Sequence, residues 1–407
     1  MRIQAFSLCL LLGATGCDDT VAEGSDADVV PGAGGKADDS DSTSPAVIQE
    51  NITREFSWGR EGDLSERDVE IMDWFRGNGE FGSFDGVAGN QGEPSIRVNY
   101  AVFRAREERA ALVLVTGRTE SYRKYAEFAY DLMQLNGDLG YSLYIIDHRG
   151  QGYSERMLKR NPELDHERGY VHNFEDYVED LRTFVDDIVR PSEHERVFGL
   201  AHSLGGGVMT RYLQAYHGDE AFDAVILTSP MHGIAAIDRE DTGGPRGWAM
   251  EYASLQALRA MVAARQGWRY VPGGGGFDSD WGFFSGEEGN SVTHSLPRHR
   301  FTNGLYLSEP KIWLGSSTAR WVVEAHDACE AMKVDPANEL LETPVLLLQA
   351  GEEMIVSNPD QSTVCDAMAN CRLEVVPGSR HEPIFEVDRI RDDYLNRMVS
   401  FYEGFIR

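Results

Sequence analysis

The sequence is poor in cysteine and in basic residues, and both shortages limit what the protein can be. It has five cysteines in 407 residues, and neither a C-x-x-C nor an H-E-x-x-H pattern occurs. We therefore expect no metal site. Lys and Arg number 38 against 67 Asp and Glu, which gives a formal net charge of −29. This excess of acid disfavours both nucleic-acid binding and electrostatic docking on anionic lipid.

Long hydrophobic runs are scarce at the N-terminus. The apolar run at residues 5–12 is too short to cross a bilayer as a stable helix. It follows one positive charge and precedes small residues, a pattern typical of an export signal over residues 1–17. The end of this segment resembles a bacterial lipoprotein signal, in which Cys17 becomes the lipidated N-terminus. We therefore expect a membrane-anchored protein of the bacterial cell envelope. An ordinary signal-peptidase site, with small residues at Ala14 and Gly16, is the alternative.

The segment that follows the signal is strongly acidic. Residues 18–50 contain nine acidic residues, one Lys and no aromatic residue. Such a composition buries too little apolar area to offset the entropy of ordering the chain. We expect a disordered tether here, followed by one large domain at residues 51–407.

The remaining cysteines bear on the redox state of the exported chain. If Cys17 is acylated, three cysteines are left after the signal, so at least one is unpaired. Cys365 and Cys371 are close in sequence and form the expected disulfide, with two free thiols as the alternative. The third is Cys329.

Apolar strands alternate with amphipathic helices from residue 111 onward. This alternation predicts a mostly parallel sheet covered by helices on both faces. A long insertion at about residues 230–335 interrupts it. The expected strands are 111–116, 141–147, 196–201, 222–229, 345–349 and 372–376. The expected helices are 122–135, 171–189, 359–369 and 387–405, preceded by a helix at 63–76 and a hairpin at 82–87 and 96–104.

The motif Ala201-His202-Ser203-Leu204-Gly205 lies between a predicted strand and a predicted helix. Small residues on either side of Ser203 let the strand and the helix approach each other through a sharp turn. The turn holds the serine hydroxyl at a helix N-terminus, where free N–H groups favour negative charge. Ser203 is therefore the expected nucleophile of an acyl transfer.

The partners of a nucleophilic serine on such a sheet follow in the order acid and then histidine. His381 comes directly after the last strand, and it is the candidate base. Glu352 and Glu353 follow the preceding strand, and the chemistry alone does not separate these two carboxylates. The backbone N–H groups of Leu204 and Arg118 are the candidate oxyanion donors. The Arg118 side chain has a simple alternative role as a surface cation.

Several motifs stand out along the chain: VTGRTESY at 115–122, IDHRGQGYS at 146–154, GYV at 169–171, AHSLGG at 201–206, SPM at 229–231 and NSVTHS at 290–295. Together they resemble the bacterial lysophospholipase and monoacylglycerol lipase branch of the α/β-hydrolases, also described as serine aminopeptidase-like. The resemblance covers about residues 80–407 and implies the α/β-hydrolase fold, with a cap inserted after the strand that follows the nucleophile helix. It selects Glu353 over Glu352, and it implies a site of Ser203, Glu353, His381 and Arg118.

These features predict a serine ester hydrolase that cleaves monoacyl lipids, lysophospholipid or monoacylglycerol, through an acyl-enzyme and without cofactor or metal. Its expected partners are the lipid ester and a membrane reached through the anchor, and the sequence indicates no particular oligomeric state. One alternative is a carboxylesterase or peptidase of the same fold. The other is a catalytically silent binding lipoprotein.

Overall fold

The computed structural model describes residues 56–88, 94–234, 245–277 and 290–406. The predicted export signal, the acylated Cys17 and the acidic tether lie outside these residues. None of the described helices is both long and apolar enough to cross a membrane.

Eight strands form one sheet in the order β1-β2-β4-β3-β5-β6-β7-β8. The strands are β1 (Glu80–Asp85), β2 (Arg97–Phe103), β3 (Ala110–Val115), β4 (Tyr141–Ile146), β5 (Val197–His202), β6 (Ala224–Thr228), β7 (Val345–Ala350) and β8 (Cys371–Val376). β2 pairs antiparallel with β1 and with β4, and the remaining neighbours are parallel. The predicted mostly parallel sheet is confirmed.

Helices cover both faces of this sheet. The α-helices in the described residues are α1 (Leu64–Asn78), α2 (Ala126–Tyr130), α3 (Pro162–Asp165), α4 (Glu175–Phe184), α5 (Leu204–Ala215), α6 (Pro245–Ala263), α7 (Leu296–Ser308), α8 (Ala319–Val334), α9 (Asn358–Ala367) and α10 (Asp388–Glu403). Alternate strand residues point to opposite faces. Val113 of β3 therefore joins the core that holds α4 and α5, whereas Leu112 joins the core that holds α1, α2 and α10.

Two predicted helices differ from the observed ones. The helix expected at 171–189 begins as α4 at Glu175, because the backbone before it bonds to the start of α8 instead. Thr318 donates to the Gly169 carbonyl oxygen at 2.8 Å, and the Arg320 guanidinium donates to that of His172 at 2.8 Å. The helix expected at 122–135 is divided into a 3-10 turn, α2 and a π-helical turn.

The insertion between β6 and β7 contains α6, α7 and α8 in its described part. α8 packs against α5, and Gln214 donates to the Met332 carbonyl oxygen at 3.0 Å. α7 reaches the loop after β3, where the Tyr306 hydroxyl donates to the Thr119 carbonyl oxygen at 2.9 Å. The insertion is thus joined to the nucleophile helix and to the loop expected to hold an oxyanion donor.

The structure joins Cys365 and Cys371 in a disulfide that links α9 to the start of β8. Cys329 is buried in α8, and its thiol lies 3.4 Å from the Met231 carbonyl oxygen. The disulfide therefore closes a short loop beside the last two strands.

The close approach of α5 to β3 predicts a sharp effect for one substitution. A Cβ atom at Gly205 would lie 2.2 Å from the Val115 carbonyl oxygen, a backbone atom that cannot rotate away. We expect Gly205→Ala to lower the free energy of unfolding by about 1–3 kcal/mol or more, measured by urea denaturation. Gly218→Ala is the control, since no heavy atom lies within 4 Å of the added Cβ. Equal stability of the two variants would contradict this packing.

Candidate active site

Ser203 lies at the sharp turn between β5 and α5, with φ 52° and ψ −117°. A non-glycine residue in this region costs about 1–3 kcal/mol, so its surroundings must hold it there. The Ser203 N–H donates to the Thr228 carbonyl oxygen at 3.1 Å. Its own carbonyl oxygen accepts from the N–H of Met231 at 2.8 Å and of Gly207 at 3.1 Å. These bonds fix the nucleophile candidate at the carboxyl edge of the sheet.

His381 lies in the loop after β8, and its Nε2 is 2.9 Å from the Ser203 Oγ. Its side chain is 5% exposed. The insertion holds this loop from outside, because the Arg380 guanidinium donates to the Thr293 carbonyl oxygen at 3.2 Å. The Glu382 N–H also donates to the Val292 carbonyl oxygen at 2.9 Å. The candidate base is thereby held against the candidate nucleophile.

Glu353, in the loop after β7, lies on the other side of the imidazole. Its Oε2 is 2.8 Å from the His381 Nδ1, and its Oε1 accepts backbone N–H groups of Met354, Ile355 and Val356. Burial raises the pKa of Glu353, but His381 and the N–H groups of Ile355 and Val356 outweigh burial and lower it below its usual value. The carboxylate therefore stays ionised. Glu352 instead points outward and contacts His294 at 3.3 Å.

The two candidate oxyanion donors lie at the ends of neighbouring parallel strands. Val115 of β3 pairs with Ala201 of β5, so the loop carrying Arg118 and the turn before Leu204 leave the sheet side by side. Leu204 is the first residue of α5, so its N–H has no partner within the helix.

The Arg118 side chain does not extend into solvent. It donates to the Gly315 carbonyl oxygen at 3.1 Å and lies over the Trp321 ring at 4.9 Å. Burial lowers the pKa of Arg118 to about 10. This guanidinium therefore ties the loop after β3 to the insertion and to α8, and its simple alternative role as a surface cation does not fit.

Comparison with known proteins finds relatives in sequence and in fold. A family described as serine aminopeptidase, S33, matches residues 106–388. The chain belongs to this family. It is 36% identical over 321 residues to lysophospholipase L2 of Escherichia coli (strain K12), which covers 76% of this chain and 85% of that protein. It is 30% identical over 151 residues to a monoacylglycerol lipase of Mycolicibacterium smegmatis, over 36% of this chain and 45% of that one.

The fold is shared with solved structures. A soluble variant of monoglyceride lipase from Saccharomyces cerevisiae, in complex with a substrate analog, matches with a TM-score of 0.58 at 16% identity. The match covers 81% of this chain and 94% of that one. Together these comparisons identify an ester hydrolase with the α/β-hydrolase fold, as the motifs predicted.

The hydrolase also has a buried charged cluster that the motif analysis did not predict. It consists of Glu120, Lys124, His202 and Glu382, and their side chains are no more than 8% exposed. Lys124 lies 2.8 Å from Glu120 and 2.6 Å from Glu382. A signal was present in the sequence, since Lys124 follows Glu120 at helical spacing and Glu382 directly follows His381.

The turn after β4 has a structural role in this hydrolase. Asp147 accepts the backbone N–H groups of Tyr122 and Tyr153, at 2.5 and 2.7 Å. Burial raises the pKa of Asp147 to about 7 despite these bonds.

Within the described ranges, no group of three or more His, Cys, Asp or Glu residues is arranged to hold a metal ion.

The geometry predicts different roles for the two adjacent glutamates. In Glu353→Gln the imidazole loses the anion that orients its Nδ1–H, so we expect kcat to fall by about 10² to 10⁴ with little change in KM. Glu352→Gln is the matched control. Its kcat should stay within about twofold of the wild-type value, because the Glu352 carboxylate points away from His381 and contacts His294. Initial rates of ester hydrolysis over a range of substrate concentrations give kcat and KM for both variants. A larger loss in Glu352→Gln would contradict the assignment.

Proposed function

We propose that this chain is a serine ester hydrolase of monoacyl lipids, a lysophospholipid or a monoacylglycerol, that works through a Ser203–His381–Glu353 triad. One observation carries the proposal. The His381 imidazole has one nitrogen 2.9 Å from the Ser203 Oγ and the other 2.8 Å from the Glu353 carboxylate. Donation of Nδ1–H to Glu353 leaves the Nε2 lone pair free to accept the serine proton.

The reaction then follows from these contacts. Ser203 Oγ attacks the acyl carbonyl carbon while its proton passes to His381 Nε2. The backbone N–H groups of Leu204 and Arg118 stabilise the oxyanion. When the tetrahedral intermediate collapses, the C–O bond to the alcohol breaks, and His381 returns the proton to that leaving oxygen. Water then attacks the acyl-enzyme by the same path and releases the fatty acid. No cofactor takes part in these steps.

The substrate class is proposed from the relatives. Two matched proteins are named lysophospholipase L2 and monoacylglycerol lipase. A lysophospholipid and a monoacylglycerol each carry a single acyl chain, attached through one ester bond. An enzyme with a net charge of −29 is not drawn to anionic bilayers by electrostatics. Because charge does not hold the enzyme at the membrane, a tether would keep it near its lipid substrate.

Two other functions are outcomes of the same test. The matched family is described as serine aminopeptidase, S33, which favours a peptide as the second candidate substrate. The third candidate function is that of a catalytically silent binding lipoprotein with the hydrolase fold.

Activity of wild type and Ser203→Ala on a substrate panel tests the proposal. The panel contains lysophosphatidylcholine, monoacylglycerol, p-nitrophenyl esters of increasing chain length and an aminoacyl p-nitroanilide. We expect the single-chain lipids to be preferred, and we expect Ser203→Ala to lose several orders of magnitude on all of them, since nucleophile and base act as a unit.

Ser308→Ala is the control for this experiment, because its hydroxyl caps the Leu305 carbonyl at the end of α7. It should retain wild-type activity. Preference for acetate or for the anilide would refute the lipid assignment. Undiminished hydrolysis by Ser203→Ala would refute the mechanism.

We also propose that the protein is exported and anchored in the bacterial cell envelope through an acylated Cys17. The short apolar run, the small residues before Cys17 and the acidic segment after it support this proposal. Cys17→Ser should lose incorporation of labelled palmitate and move from the membrane to the soluble fraction, because serine lacks the thiol to which the lipid anchor is attached. Palmitate incorporation that persists in Cys17→Ser would disprove acylation at this position.

A further inference from the structure

The charged cluster beside the site is centred on the Glu120 carboxylate. This carboxylate accepts hydrogen bonds from Lys124 Nζ at 2.8 Å, from the Tyr125 hydroxyl at 2.6 Å and from the Gly117 N–H. His202 Nδ1 lies 3.1 Å from the same group. The loop after β3 is therefore joined through one buried carboxylate to the residue that directly precedes Ser203.

His202 bridges this carboxylate and the loop of the candidate base. Its Nδ1 faces the Glu120 Oε1 at 3.1 Å, and its Nε2 faces the His381 carbonyl oxygen at 3.2 Å. An ionised carboxylate and a carbonyl oxygen both accept hydrogen bonds and cannot donate them. A neutral imidazole has one N–H and satisfies only one of these contacts, whereas an imidazolium satisfies both.

The charges around His202 balance only when it is protonated. Glu120 and Glu382 supply two negative charges, and Lys124, which contacts both, supplies one positive charge. A neutral His202 would leave one uncompensated negative charge in a buried site, which is costly. Burial lowers the pKa of His202, but Glu120, with a smaller contribution from Glu382, outweighs burial and Lys124 and raises it.

Within the part of the chain that the structure describes, the other groups that face this cluster add no compensating cation. Burial lowers the pKa of His148, which lies near Glu120, to about 4, so this imidazole stays neutral, and Asp147 is an acid. The His381 ring centroid lies 5.0 Å from that of His202. Tyr125 contacts Glu120 through its hydroxyl, and burial with the nearby carboxylates raises the pKa of both Tyr125 and Tyr306, so both phenols stay neutral.

We propose that His202 is held as an imidazolium and is a positioning residue, which fixes His381 against Ser203 through the His381 carbonyl oxygen. This inference rests on the proposed triad and adds a second, charged histidine that takes no part in proton transfer. His202 directly precedes Ser203, so its hydrogen bond to the His381 carbonyl oxygen is a second link between the turn at Ser203 and the loop that carries His381.

Deprotonation of His202 has a defined consequence in this arrangement. The bond to the Glu120 carboxylate is charge-assisted and is the stronger of the two. The proton is therefore lost from Nε2, and two acceptor atoms then face each other at His381. The loop moves away, and a displacement of about 1 Å at a catalytic group can cost about 100-fold in rate. Activity should fall on the alkaline side with the ionisation of His202.

The pH dependence of kcat in Glu382→Gln tests this inference. This change removes an anion that raises the pKa of His202 and leaves the Glu120 carboxylate in place to hold the Nδ1–H. The alkaline limb should therefore move down by about half a pH unit, while KM stays nearly constant. Lys124→Met removes a cation that opposes protonation of His202, and its alkaline limb should not move down. A structural role alone would lower kcat by one factor at every pH in both variants, and that result would overturn the inference.

A direct measurement covers the case in which a variant does not fold. In wild type labelled with ¹⁵N-histidine, the His202 resonance, assigned with His202→Gln, should show protons on both ring nitrogens at pH 7. A neutral ring would overturn the inference. This spectrum is independent of turnover, so an inactive wild type would refute the proposed function without deciding the state of His202.

Discussion

The hydrogen bond between His381 Nε2 and Ser203 Oγ is the contact on which this account of the molecule depends. It joins side chains 178 positions apart, and it requires β5 and β8 to end at the same edge of one sheet. The parallel register from β3 to β8 meets that requirement, since loops at the carboxyl ends of parallel strands lie together. The left-handed turn at Ser203 then raises the hydroxyl above the sheet edge.

Much of this site was predictable because its determinants are local. A small residue on each side of Ser203 marks a sharp strand-to-helix turn, and a carboxylate and a histidine after the last two parallel strands can reach it. The local sequence does not decide between Glu352 and Glu353. It depends on which side chain the loop after β7 turns inward, and only the resemblance to a family indicated Glu353 before the structure placed it beside His381.

The features that the sequence did not predict come from contacts between distant segments. His202 meets Glu120 across 82 positions, and Lys124 meets Glu382 across 258. Taken one at a time, these charged residues are of the types that usually lie exposed to solvent. The late start of α4 has the same origin, because Arg320 binds the His172 carbonyl oxygen, which a helix beginning at residue 171 would have used. Periodicity within one segment carries no information about such partners.

The most direct test of the central claim is to locate the acyl group during turnover. Wild type mixed with a long-chain p-nitrophenyl ester, quenched in acid within the first turnovers and digested, is mapped by mass spectrometry. We predict one acyl adduct, on the peptide that contains Ser203, and greater accumulation of this adduct when deacylation is slow. An adduct on another residue, with none at Ser203 while the ester is hydrolysed, would contradict the account.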